Sequence, residues 1–382
     1  MPRRVYLDHV ASTPLDPEVR AAMDRARDDA LGNPSSLHAE GRRARDLLEG
    51  ARERVAKALG ARPREVVFTS GGTESCDMAL RGAALARASA GKRVVVTAVE
   101  HSAVLDPATA LAAAGFDVAR VAPTPDGTVD AAAVALACGS GPAVASVMLA
   151  NHETGAVMPV RAVSDAVRPR RVLLHCDATL APGRLDVRPD ALGVDLLSLS
   201  AHKMNGPKGA GALYVRRGTK LEATRRGGVQ EERLRPGTED AVGAVGFATA
   251  LERAVAARET RAARYDALAG ALRRALLAVP GCRLVGPEAG ALPGLVHVEV
   301  EGCEGESLVV NLDLLGVSAS TGSACAIGAL EPSPVLLAMG LGKRRAASTV
   351  RFCVGEGTTD DDVARVVEVF PSLVERLRAL AR

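Results

Sequence analysis

The sequence predicts an α/β protein: a large domain on a mostly parallel sheet, then a smaller α/β domain. Three observations predict it. Between about residues 64 and 217, short β-rich runs alternate with helical patterns, the signature of βαβ units. Several of these runs are apolar without alternation, among them VVVTAV, AVASVMLA and VDLLSLS, as in strands buried on both faces. Beyond Pro280-Gly281 the pattern restarts as strand, helix, strand, helix.

The elements follow in chain order. Ala44, Leu47, Leu48, Ala51, Val55, Ala58 and Leu59 recur at helical spacing before Gly60, so a helix closed by that glycine precedes the sheet. EVVFTS, KRVVVTAV, FDVARVA, AVASVMLA, RVLLHCDA, VDLLSLSA and GALYVRR are the expected strands. One long Ala/Arg/Leu-rich helix is expected over 242–279. LVHVEV and STVRFCVG then read as strands, and GESLVVNLDLLG and the segment from DDDVARVV onward as helices. Thr358 or Thr359 is the expected cap of the last helix.

Composition narrows the function classes. The 382 residues carry 48 basic and 45 acidic side chains, a balance that argues against nucleic acid as a main partner. The seven cysteines show no CxxC and no metal-ligand spacing, so a reducing compartment is expected, with neither a disulfide framework nor a metal site. No apolar segment reads as a signal core or a membrane span, and cytoplasmic location is the default.

Candidate chemistry gathers at strand ends. VDLLSLS runs into Ser200, Ala201, His202 and Lys203, where open α/β sheets place ligands. A partly desolvated lysine there can form a Schiff base, whereas Lys208, after Gly206-Pro207, reads as a surface residue. Asp177 ends LLHCDA; a buried carboxylate needs a cation, and the protonated ring nitrogen of pyridoxal phosphate (PLP) would supply one. FTSGGTES places Gly71, Gly72 and Thr73 between a strand and a helix, a phosphate cradle unlike a nucleotide P-loop. His101 and Asn151 follow two further strands.

Cys325 lies in SASTGSACAIGALEPS, a segment poor in apolar anchors and expected to be mobile. An accessible thiol there can act as a nucleophile, while Cys76, Cys176 and Cys353 fall in helix or strand patterns and read as structural. Cys138 and Cys303 also read as loop residues. Composition does not choose among the three loop cysteines.

These motifs resemble, in order and over nearly the whole chain, the cysteine desulfurases of the class V aminotransferase group. The resemblance rests on YLDHVASTPLDP, GNPSS, FTSGGTES, EHSAVL, NHETG, HCDAT, SAHKMNGPKGAGALYVR, RPGTED, GESLVVNL, GSAC…LEPS and VRFCVG. The GSAC…LEPS block, with its long loop before LEPS, is similar to the nitrogen-fixation and housekeeping iron–sulfur subgroup.

The resemblance implies PLP fold type I, with a large domain at 14–258 and a small one from 1–13 and 259–382. It implies that Lys203 carries PLP, Asp177 pairs with the ring nitrogen, and His101 stacks on the ring and acts in acid–base steps. Gly72, Thr73, Ser200 and His202 would bind the cofactor at its phosphate, and Thr238 would reach the phosphate of a neighbouring subunit in a homodimer. Asn151 would serve both cofactor and substrate, and Arg351 and Asn33 would hold the substrate. Cys325 would take sulfur from L-cysteine as a persulfide and pass it to a protein acceptor, in iron–sulfur cluster assembly or another thio-cofactor or tRNA pathway.

A selenocysteine lyase, a small-amino-acid aminotransferase of the same fold and a non-catalytic sulfur-carrier scaffold are the alternatives. Two positions depart from the family pattern: Leu180 stands where a glutamine usually follows DAT, and Asn205 where tyrosine often precedes GPKG.

Overall fold

The computed structural model describes residues 4–141, 143–322 and 332–380. The first half runs β1 (Val5–Tyr6), α1 (Pro17–Asp29), α2 (Ala39–Leu59), β2 (Val66–Thr69), α3 (Gly72–Arg87), β3 (Arg93–Thr97), α4 (Ser102–Ala113), β4 (Asp117–Val121), α5 (Ala131–Cys138) and β5 (Ala143–Ser146). It continues through α6 (Val160–Val167), β6 (Leu173–Asp177), α7 (Pro189–Leu192), β7 (Leu196–Ser200), β8 (Gly211–Val215), α8 (Ala241–Ala256) and α9 (Arg258–Leu277). The remainder is β9 (Cys282–Leu284), β10 (Leu295–Val300), α10 (Gly305–Leu314), β11 (Val317–Ser318), α11 (Pro334–Ala338), α12 (Lys343–Ala346), β12 (Thr349–Cys353) and α13 (Asp360–Leu380).

Seven described strands form one sheet in the order β2-β8-β7-β6-β5-β3-β4. Only β8 runs against the others: it pairs antiparallel with β2 and β7, while the remaining pairs are parallel. The α/β expectation therefore holds. The carboxyl ends of β2, β3, β5, β6 and β7 share one edge, which is what brings distant motifs together. Val94–Val96, Leu196–Leu199 and Ala212–Leu213 are nearly inaccessible to solvent, because helices cover both faces.

A second core surrounds the antiparallel sheet β12-β10-β9, with Val298, Val350, Phe352, Leu272 and Phe370 at its centre. β1 pairs with β11, so the amino-terminal segment joins this second core through Val5 and Leu7.

The helix expected over 242–279 is two helices. Ala257, at φ −95° and ψ 7°, separates α8 from α9. No glycine or proline marks the break. α8 packs on α1 and α2, whereas α9 packs on β10 and α13, so each half turns its apolar stripe to a different core. Cys138 is a second correction: it closes α5 and is buried, as is Cys303. Thr359 rather than Thr358 caps α13, through reciprocal bonds between Thr359 N and Asp362 Oδ2 (2.9 Å) and between Asp362 N and Thr359 Oγ1 (3.3 Å).

Candidate active site

A cavity of about 560 Å³ opens at the shared carboxyl edge, lined by Gly72, Thr73, His101, Asp177, Ser200, His202, Lys203 and Arg351 among others. Lys203 ends the short 3₁₀ turn that follows β7, and its Nζ donates to the carbonyls of Val10 (2.5 Å) and Ala11 (3.0 Å). Asp177 is the buried last residue of β6, and its Oδ1 accepts from Thr179 N at 3.0 Å.

His101 caps α4. Its Nδ1 accepts from Ala103 N at 3.0 Å, which leaves the proton on Nε2. Burial holds this imidazole below its ordinary range; the Asp177 carboxylate opposes that effect and the Lys203 ammonium adds to it.

The expected phosphate cradle is a strand–glycine–helix turn between β2 and α3. Gly71 is the N-cap of α3 at φ 151° and offers no side-chain cap, so the first amides of a 16-residue helix face the cavity region uncapped. A Cβ on Gly72 would lie 2.7 Å from Thr179 Cγ2, so only glycine lets the backbone approach. Ser200 and His202 line this cavity and an adjoining hollow of about 420 Å³ that also holds Thr73. Burial, then the Lys203 and Lys208 charges, lower His202 to about 4. Lys208 is exposed on the rim of that hollow.

Arg351 is buried in β12. Its Nη1 donates to His152 O (2.8 Å) and Gly322 O (2.9 Å), and its Nη2 pairs with Asp8 Oδ1 at 3.0 Å. A planar, multiply donating cation at the cavity wall suits a carboxylate. Leu180 also lines the cavity, so the departure from the family's glutamine lies at the site.

Three expected residues stand apart. Asn151 does not line the cavity; it serves the NHETG turn. Its Nδ2 donates to Val99 O (2.9 Å), and its Oδ1 accepts from Glu153 N (2.9 Å), Thr154 N (2.9 Å) and Thr154 Oγ1 (3.1 Å). Its second Nδ2–H faces Met148 Sδ at 3.6 Å, so the amide is committed on both sides. Asn33 is exposed, its Oδ1 capping Ser35 N at 2.9 Å, and does not line the cavity either. Thr238 is exposed outside it. Cys325 lies outside the described residues; Gly322 on one side of its segment touches Arg351, and Pro334 on the other lines the cavity.

Among the cavity residues that escaped the sequence reading are Glu100 and His152. Glu100, directly before His101, is 1% exposed and accepts at Oε1 from Thr97 Oγ1 (2.9 Å) and Met148 N (2.8 Å). Burial pushes it up to about 8. His152 packs edge-on against His101, with centroids 5.1 Å apart. Burial, with the neighbouring His101, Arg351 and Lys203 charges, holds it well below the ordinary histidine range. Both adjoin residues already singled out, and adjacency was the signal available.

The site's composition fits PLP: an amine, a carboxylate at a strand end, an imidazole, and an uncapped helix start at a glycine no other residue could replace. The sequence profile described as Aminotransferase class-V matches residues 5–366. The chain belongs to that family.

Class-V aminotransferases depend on PLP, and the motif residues of this member supply the cavity. The chain is 40% identical over 382 residues to the cysteine desulfurase IscS of Dictyoglomus turgidum, covering 100% of this chain and 97% of that one. A solved NifS-like protein superposes with a TM-score of 0.89 at 31% identity, covering 99% of each chain. A structure of SspA in complex with cysteine superposes at 0.81 with 30% identity, covering 93% of this chain and 99% of that one. Among the described residues, no helix is long and apolar enough to cross a membrane, and no group of acidic, histidine or cysteine side chains could hold a metal ion.

Proposed function

We propose that this class-V protein is a cysteine desulfurase that passes sulfur from L-cysteine to Cys325. The observation that carries the reading is the convergence of Lys203, Asp177, His101 and Arg351 on one cavity. When bound, PLP supplies an electron sink for the carbon framework of an amino acid.

This chain's residues divide the remaining work. Arg351 binds the substrate carboxylate, with Asp8 steadying its guanidinium. Lys203 holds and then moves a proton at Nζ, released from the Val10 and Ala11 carbonyls. His101 keeps a proton on Nε2 because Nδ1 is committed to Ala103. The Cys325 sulfur attacks the substrate sulfur, the carbon–sulfur bond breaks with its electron pair left on carbon, and that carbon takes up a proton. Atoms balance as L-cysteine plus enzyme thiol giving L-alanine plus enzyme persulfide.

The described cysteines favour Cys325 by their own chemistry. Burial pushes Cys138 and Cys282 up to about 11 and raises Cys76, Cys176, Cys303 and Cys353. Thiols so held are poor nucleophiles.

The finer reading is a cytoplasmic homodimer in which the exposed Thr238 reaches the partner's phosphate site, with a protein sulfur acceptor in iron–sulfur assembly or a related pathway. The division into domains at 14–258 and at 1–13 with 259–382 belongs to the same reading. Borohydride reduction followed by peptide mapping tests the first step: the adduct is expected on Lys203, and its absence there overturns the proposal. Incubation with isotopically labelled cysteine tests the second. Labelled persulfide on Cys325 with stoichiometric alanine is expected, and keto acid in place of alanine would instead identify an aminotransferase.

A further inference from the structure

The turn after β5 is held twice over. Backbone bonds from Asn151 N to Ala156 O (2.8 Å) and from Gly155 N to Asn151 O (3.0 Å) close it, with a bridge between Ala150 and Val157. The Asn151 side chain, inaccessible to solvent, adds a second set of bonds. An apolar side chain would fill that space with no polar group to satisfy, so the amide calls for a reason beyond closing the turn.

One bond of the second set reaches the cavity wall. Asn151 Oδ1 accepts from Glu153 N at 2.9 Å. The same peptide group, His152–Glu153, presents its carbonyl oxygen to Arg351 Nη1 at 2.8 Å. A peptide group is planar, so a bond at its nitrogen constrains where its oxygen points. Nη1 also donates to Gly322 O (2.9 Å), and Nη2 pairs with Asp8 Oδ1 (3.0 Å). Acceptors from three separate segments thus set the plane of a guanidinium that is 1% exposed. At the other end of the amide, Asn151 Nδ2 donates to Val99 O at 2.9 Å, two residues before His101. A buried strut therefore runs from the His101 junction to Arg351, with bonds of 2.9, 2.9 and 2.8 Å at its joints.

We propose that Asn151 is a positioning residue for the substrate carboxylate, acting through the His152–Glu153 peptide on Arg351. Asn151 itself stays outside the cavity. The proposal rests on the reading of Arg351 as the group that holds that carboxylate.

The test uses the purified PLP-loaded enzyme. It reads KM and kcat for L-cysteine, the affinity for L-alanine by calorimetry, and the melting temperature. Asn151→Ala frees the peptide nitrogen. It is expected to raise KM and weaken L-alanine binding about tenfold, with kcat within about twofold of the parent. Thr154→Val loosens the same turn: it removes the bonds of Thr154 Oγ1 with Asn151 Oδ1 (3.1 Å) and Ala156 N (3.2 Å) but leaves the Glu153 N bond in place. It is expected to lower the melting temperature while KM stays within about twofold of the parent. A lowered melting temperature with parental KM and L-alanine affinity in Asn151→Ala makes the amide structural and overturns the proposal. An equal rise in KM for Thr154→Val does the same. Should Asn151→Ala fail to fold, Asn151→Asp is read instead, since it keeps the acceptor oxygen and loses the donor to Val99. Its KM is expected within about threefold of the parent, and a rise of about tenfold overturns the proposal. Arg351→Lys separates the two readings. If it raises KM for L-cysteine and Asn151→Ala does not, only the positioning role fails. If Arg351→Lys leaves KM at the parental value, the reading of Arg351 fails and the positioning role with it.

Discussion

Glu231→Ala is expected to destabilise the protein severely, although residue 231 lies outside the cavity. Arg52 and Glu231 form a two-pronged ion pair, with Nη1–Oε2 and Nη2–Oε1 both at 2.8 Å. The Glu231 side chain is 1% exposed and that of Arg52 11%. Glu231 also accepts from Phe68 N (2.8 Å), Arg52 donates to Val66 O (2.8 Å), and its guanidinium lies 5.0 Å from the Phe68 ring centroid. The pair thus ties α2 and β2 to the segment leading to Thr238. Truncating Glu231 leaves the buried Arg52 with only the exposed Glu49 as counter-charge, at 3.2 Å, and strands the Phe68 amide, a loss of about 3–5 kcal/mol. With an unfolding entropy near 2.1 cal/mol/K per residue, a 382-residue chain would lose about 4–6 °C in melting temperature.

The double variant Arg52→Met/Glu231→Leu removes both charges and keeps the volume apolar. It is expected to be more stable than Glu231→Ala alone. Urea and thermal unfolding of the purified protein measure all three. A Glu231→Ala midpoint within error of the parent, or a double variant weaker than the single one, would refute the reasoning.

Three further outcomes follow from the site and its surroundings. Glu100 keeps its proton to about pH 8 when folded, against an ordinary value of 4.5; between those values the folded state holds the extra proton, so stability falls as pH rises. Glu100→Gln should flatten that slope in unfolding curves of the PLP-free protein, and parallel curves would refute it. His9, His175 and His202 are each lowered by burial from 6.5 to about 4. Their folded states bind fewer protons, so stability present at neutral pH is lost as pH falls from about 6.5 toward 4, a loss that His175→Gln should reduce in an acid titration followed by circular dichroism. Gly322 sits at φ 82°, and a Cβ there would lie 3.0 Å from His297 Cε1. Gly322→Ala should lower the urea midpoint by the equivalent of about 1–2 kcal/mol, and an unchanged midpoint would show that the backbone relaxes freely.

The strands and the chemistry at their ends were legible in the sequence because both are local. An unbroken apolar run such as VDLLSLS signals a strand buried on both faces, and the Ser200–Lys203 segment directly follows it. Lys203, Asp177, His101 and Thr73 could be named from such junctions, and parallel pairing then carried them to one edge.

Other features depend on partners far along the chain. Whether Asn151 meets a ligand or its own turn is decided by Val99, Glu153 and Thr154. The break at Ala257 carries no glycine or proline, and exists because α8 and α9 face different cores. The inertness of Cys138 and Cys303 is a matter of burial. The hydrogen-bonded row Ser146–His175–Ser198 joins three strands. Hydrophobic period and backbone preference act over a few residues, so sequence alone specified the strands of the large sheet, several of the helices and the edge on which the candidate residues gather. Desolvation and hydrogen-bond saturation depend on what packs from elsewhere, so tertiary structure alone decided which polar groups are committed and which face the cavity.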